Sequence, residues 1–132
     1  RPMTDTVSVE IAFGELVDKI TILEIKLERI SNAEKLANVQ TEWQTLIEAR
    51  DQCINASDEL TRLSNGLKAV NEMLWVIEDD IRDCERNNDF GKKFIELARA
   101  VYRTNDERAR IKHQINELLG SRLVEEKSYS AY

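Results

Sequence analysis

The chain has 132 residues, 33% of them charged and 42% apolar, with one proline, four glycines and a net charge of −6. That length suffices for one domain, residues 1–132, with its own core, and the balance suits a helical domain rather than disorder or a loop-rich fold. The negative charge excludes nucleic acid as a general partner, because neutralising phosphates needs a basic surface, and no apolar run approaches the roughly 18–20 residues of a membrane span.

Met3 reads as the natural start, preceded by Arg1 and Pro2, and no secretory apolar stretch follows, so the cytoplasm is the expected compartment. From Thr6 to Ile11 apolar and polar residues alternate. That period of two predicts a short extended segment, paired either with the C-terminal tail or across a dimer. A first helix is predicted from about Phe13 to Ile30, with a seam of Phe13, Leu16, Ile20, Leu23, Leu27 and Ile30. Ile22 and Ile25 lie roughly 120–180° away on the same helix, a second apolar face that calls for another helix of the chain or a second copy.

Ser31 and Glu34 have capping-box spacing and open a second helix, about Ala33 to Ile54. Its seam is Leu36, Val39, Trp43, Leu46, Arg50 and Cys53, with Arg50 snorkelling near the end. Ser57 is a good N-cap for a third helix reaching about Arg86, since Asp58 and Glu59 follow in the first turn. Leu60, Leu63, Leu67, Val70, Leu74, Ile77, Ile81 and Cys84 keep one apolar stripe along a helix roughly 40–45 Å long. Gly66 interrupts it at a cost of about 1 kcal/mol relative to Ala, which points to a close crossing or a slight kink there. Asn87 to Asp89 form the next turn, with Asn88 or Asp89 as cap. The fourth helix has the seam Phe90, Phe94, Leu97, Val101, Thr104, Arg108, Ile111, Ile115 and Leu118, and Gly120 is its stop. Thr104 and Glu107 also have capping-box spacing, so a break at Thr104 is one alternative and an unbroken helix the other. Cys53 and Cys84 fall on seams, lack metal-ligand spacing and read as reduced core residues.

The most informative irregularity is the pair Thr104 and Arg108 on the apolar seam of the fourth helix. A buried Arg without a partner is costly, so a carboxylate or a bound anion is required. Glu24 and Glu78, each roughly 80° from its own seam centre, are the candidate carboxylates. Glu28 lies one turn beyond Glu24, Lys112 one turn beyond Arg108, and Tyr102 and Asn105 flank the same stretch. Together these eight residues outline a polar patch between the first, third and fourth helices. A structural ion-pair cluster is the heavier reading and a ligand site the lighter one. No metal or cofactor is implied. Di-iron bundles need Glu-x-x-His on two helices, and His113 stands alone with Arg110 three residues before it. There is no phosphate loop and no nucleophile elbow.

Three stretches carry a family resemblance: GELVDKITILEIKLERI (Gly14–Ile30), LWVIEDDIRDCE (Leu74–Glu85) and FIELARAVYRTNDERARIKHQINELLGSRLVEEKSY (Phe94–Tyr129). With its YRTNDERARIK and EEKSY strings, the chain resembles a small bacterial domain family of unknown function and of about this length. The resemblance implies a role near glycan or surface-polysaccharide assembly, and it supplies no catalytic residue. Relatives often carry Ser where this chain has Ala12, which weakens the cap of the first helix here.

The expectation is an all-α antiparallel bundle of four long, coiled-coil-like helices, associating as a homodimer. Its expected role is a non-catalytic interaction module taking a protein partner or a small anionic ligand. The alternative is a small enzyme acting on a phosphorylated or carboxylated metabolite, with Arg108 and Lys112 holding the anion and Glu24 or Glu78 as acid/base.

Overall fold

The computed structural model describes residues 5–132. The reading of Met3 as the start lies outside them. Four helices follow in order: α1 (Phe13–Arg29), α2 (Ala33–Cys53), α3 (Asp58–Arg86) and α4 (Lys92–Leu119). Among the described residues there are no strands. The alternating segment before α1 is exposed and irregular, and its link to the tail is an ion pair, Arg122 to Glu10 at 2.6 Å, rather than a backbone ladder.

The helices pack unequally. α1 touches α2, α3 and α4, and α3 also packs along α4, whereas α2 touches α1 alone. The bundle is therefore a three-helix core, α1, α3 and α4, with α2 laid against the outside of α1. This explains the two apolar faces of α1. Leu16, Ile20 and Leu23 are buried, and so are Val17 and Ile25. Ile25 is covered within the chain, whereas Ile22 is half-buried. It also explains why α2 buries no residue and why Cys53, expected in the core, is exposed. Cys84 is buried.

The core itself consists of Val17, Leu60, Leu63, Leu67, Val70, Ile111 and Ile115, so apart from Cys84 the seam of α3 is fully buried only over its first half. α4 runs unbroken through Thr104, because tertiary burial of Thr104 outweighs the local capping signal. Ser57 caps α3 as the sequence implies, its hydroxyl accepting from the Leu60 amide at 3.1 Å. Elsewhere the caps shift. Asn32 rather than Ser31 caps α2, accepting from the Lys35 amide at 2.9 Å. Neither Asn88 nor Asp89 caps α4, which starts after Gly91; Asn88 instead takes a positive φ of 54° that ends the α3 turn, and Phe90 is left outside the helix, exposed. Gly120 closes α4 in the left-handed conformation, at φ 64°, as its position implies.

Candidate functional site

α1 and α4 run antiparallel and meet through a polar ladder. Three α4 residues spaced by four, Asn116, Lys112 and Arg108, lie on one stripe and reach Gly14, Glu15 and Asp18 of α1. At the first rung the Asn116 Oδ1 accepts from the Gly14 amide at 2.7 Å. Ala12, the α1 N-cap, has no side chain with which to satisfy the first amides, and Asn116 does so from across the bundle. The helices approach so closely here that a Cβ on Gly14 would collide with the Lys112 carbonyl oxygen. Gly14, not Gly66, is the glycine demanded by a tight crossing: a Cβ on Gly66 would make only ordinary contact, 3.8 Å from Ile111 Cδ1.

At the second rung Lys112 Nζ lies 2.8 Å from Glu15 and 3.2 Å from Glu125 of the tail, with the lysine buried. Burial opposes its charge, but hydrogen bonds to Glu15 and Glu125 and the nearby Asp18 carboxylate outweigh it and hold the amine above its ordinary value. At the third rung Arg108 grips Asp18 in a bidentate pair, Nε to Oδ1 at 2.9 Å and Nη2 to Oδ2. Those hydrogen bonds raise the guanidinium pKa further. Asn71 of α3 completes the cluster, donating to Asp18 Oδ1 at 3.0 Å and to the Thr21 hydroxyl at 2.9 Å. Asp18 is 1% exposed and thus takes three donors from two helices. Among the described residues, no buried side-chain nitrogen or oxygen lacks a partner.

The partner of Arg108 is therefore neither Glu24 nor Glu78. Glu24 accepts from the Trp43 indole at 3.4 Å and belongs to the α1/α2 contact. Glu28 pairs with Lys68 of α3 at 2.6 Å. Glu78 is exposed and paired along its own helix with Arg82. Asp18 carries a signal that could have found it. At about 100° per residue it lies within roughly 40° of both Ile22 and Ile25, so it sits on the second apolar face of α1, where a carboxylate needs a cation.

Two open clefts flank Arg108. One, of about 890 Å³, lies between α4 and the tail and includes Tyr102, Asn105, Arg108 and Lys112. The other, of about 470 Å³, lies between α1, α3 and α4 and includes Ile22, Trp75, Glu78, Asn105 and Arg108. The tail is held over the first cleft by Lys127 to Asp106 at 3.4 Å and by the Tyr132 ring against Tyr102, with ring centroids 5.2 Å apart. Glu28 and the buried Thr104 line neither cleft, and Glu24 lines a separate groove beside α2. No group of three His, Cys, Asp or Glu side chains converges as a metal site among the described residues. None of their helices is long and apolar enough to cross a membrane.

Fold and site thus define a small all-helical domain whose inner polar groups knit α1 to α4. The chain belongs to a family of unknown function, DUF6165, whose sequence model matches residues 7–132. No curated protein and no solved structure matches it.

Proposed function

We propose that this chain is a non-catalytic helical interaction module, an accessory in bacterial glycan or surface-polysaccharide assembly within the cytoplasm. The observation that carries this reading is the closed Asp18–Arg108–Asn71 cluster, in which every donor aimed at the buried carboxylate is spent on holding three helices together. Lys112 is likewise neutralised by Glu15 and Glu125. The cations proposed to hold an anionic substrate are thus occupied, and neither Glu24 nor Glu78 shares the tail-side cleft with them. The placement beside glycan assembly rests on the family resemblance alone.

One observation favours a second reading, a small anion bound at Arg108. Its Nη1 takes no protein acceptor among the described residues, and the side chain, 29% exposed, borders both clefts. A thermal-shift screen with nucleotide sugars, sugar phosphates and divalent metals separates the two. The module reading expects no compound to raise the melting temperature. A rise that disappears in Arg108→Lys, which keeps the charge but loses the guanidinium fork, would replace it with the ligand-binding reading.

A further inference from the structure

α1 crosses the α3/α4 hairpin and leaves its distal part bare on that same side. Asn71 of α3 bonds to α1, and so do Arg108, Lys112 and Asn116 of α4. These residues mark the face that α1 covers. Further along the hairpin, Leu74, Trp75, Glu78, Arg82 and Glu85 lie within roughly 60° of Asn71 around α3. Phe94, Leu97, Ala98 and Val101 lie within roughly 60° of Lys112 around α4. The apolar residues among them are all half-buried, and Glu78, Arg82 and Glu85 are exposed. The cleft of about 470 Å³ walled by Ile22 opens onto this stretch. A seam between two helices needs a further layer, and α1 supplies one only as far as that cleft.

The bare stretch has a midpoint and a charge pattern. On α3 it runs from Leu74 to the helix end at Arg86, about 18 Å, with Asp80 halfway. Gly66 lies level with Ile111, which puts Asp80 roughly level with Leu97 and Ala98 of α4. On this side α4 carries no charge, because Lys92, Lys93, Glu96, Arg99 and Arg103 all lie roughly 100° or more from Lys112. On α3 the charges alternate in sign: Glu78, Arg82, Glu85 and, at the edge, Arg86. Glu78 pairs with Arg82 along the helix. Among the described residues the Trp75 indole donates to no acceptor and Glu85 pairs with no cation.

We propose that a second copy of this chain covers the bare stretch, antiparallel about a two-fold axis that passes near Asp80. α1 sets the orientation. It stands on the face to be joined, so a parallel copy would bring α1 onto α1, whereas in an antiparallel pair each α1 lies beyond the other's hairpin tip. Charge sets the occupant. About this axis Glu78 meets the partner's Arg82, and Arg82 meets the partner's Glu78, so one operation matches both charges. Trp75 meets the partner's Glu85, the unspent donor against the unspent acceptor. On α4, Ala98 lies near the axis with Phe94 and Val101 on either side, apolar against apolar. A foreign helix would need this alternation in its own sequence, and a second copy carries it by symmetry. The proposal rests on the interaction-module reading and gives it a location and a partner.

Sedimentation equilibrium of the full chain, over the micromolar to millimolar range, tests it. The expected result is a weak dimer, because the patch is short, and one that loosens as salt rises. Glu78→Arg sets cation against cation across the axis, and Arg82→Glu sets carboxylate against carboxylate. Each is expected to weaken the dimer roughly tenfold or more. Mixed in equal amounts, the two variants associate with each other, which a variant that fails to fold cannot do. Val76→Asp, exposed and roughly 140° from Asn71, leaves the dimer unchanged. A chain that is monomeric throughout, a mixture that does not associate, or a dimer broken by Val76→Asp and not by Glu78→Arg overturns the proposal. Any of these results leaves the module reading to stand or fall on the ligand screen, which does not depend on oligomeric state.

Discussion

Arg108 and Asp18 have unequal claims on the solvent, and this sets the cost of losing either. Asp18 is 1% exposed, while the Arg108 side chain keeps 29% of its surface. Arg108→Ala strands a buried carboxylate and is expected to cost about 3–5 kcal/mol. Asp18→Ala is expected to cost less, since the guanidinium can turn to water. Urea unfolding checks the order, and equal or reversed costs would discard the argument. Glu24→Ala and Glu78→Ala, outside the cluster, are expected to stay within about 0.5–1 kcal/mol. The glycines make a second contrast. Helix propensity alone predicts that both Gly14→Ala and Gly66→Ala stabilise by about 1 kcal/mol. The fold allows this at Gly66, but at Gly14 the new methyl meets the α4 backbone, and a loss of about 1–3 kcal/mol is expected. Melting temperatures moving in the same direction would refute the tight crossing. That Arg108 needed a carboxylate was legible in the sequence from its seam position. Which carboxylate was not, because Glu24, Glu78 and Asp18 all lie near apolar stripes and only the crossing of α1 over α4 selects among them.

At the scale of elements, the tail is the segment whose attachment depends most on charge. The Tyr132 hydroxyl beside Asp106 holds the Asp106 carboxyl below its ordinary 3.8, and the carboxylate holds the Tyr132 phenol above its ordinary 10.0. Lys112 is held above 10.5 while paired in part with Glu125. A lowered carboxyl pKa contributes docking that is complete above 3.8 and lost as pH falls through the folded value. Raised phenol and amine values contribute docking that is complete below 10.0 and 10.5 and lost as pH rises through theirs. Tail docking is therefore expected to be flat between 3.8 and 10.0 and to weaken on both sides. Backbone NMR shifts of residues 124–132 followed across pH test this; a transition near neutral pH would contradict it. The caps of α2 and α4 show where local signals stop being decisive. Ser31 and Asn32 are both good caps, as are Asn88 and Asp89, and a shift of one or two residues follows from how neighbouring helices set the turn.

For the whole molecule, the central fact is that three helices share a core and the fourth leans on one of them. α2 buries no residue, so it is expected to open at lower free energy than the rest. Trp43 on α2 and Trp75 on α3 are natural reporters. With Trp75→Phe leaving Trp43 as the only indole, the urea midpoint is expected to fall below that of Trp43→Phe, which reports from α3. Coincident midpoints would show that α2 unfolds with the core.

The sequence by itself determined the number, type and approximate bounds of the helices, because a seven-residue apolar rhythm, Ser57 and Gly120 are local facts of spacing and backbone freedom. It also determined the family and the need for a partner at Arg108. Only the tertiary structure decided that α1 is the hub and α2 the outlier, that Asp18 and Asn71 answer Arg108, that Asn116 caps α1, and that Gly14 marks the close crossing. Those outcomes depend on which faces meet and at what height. Periodicity along one helix says nothing of the register between two.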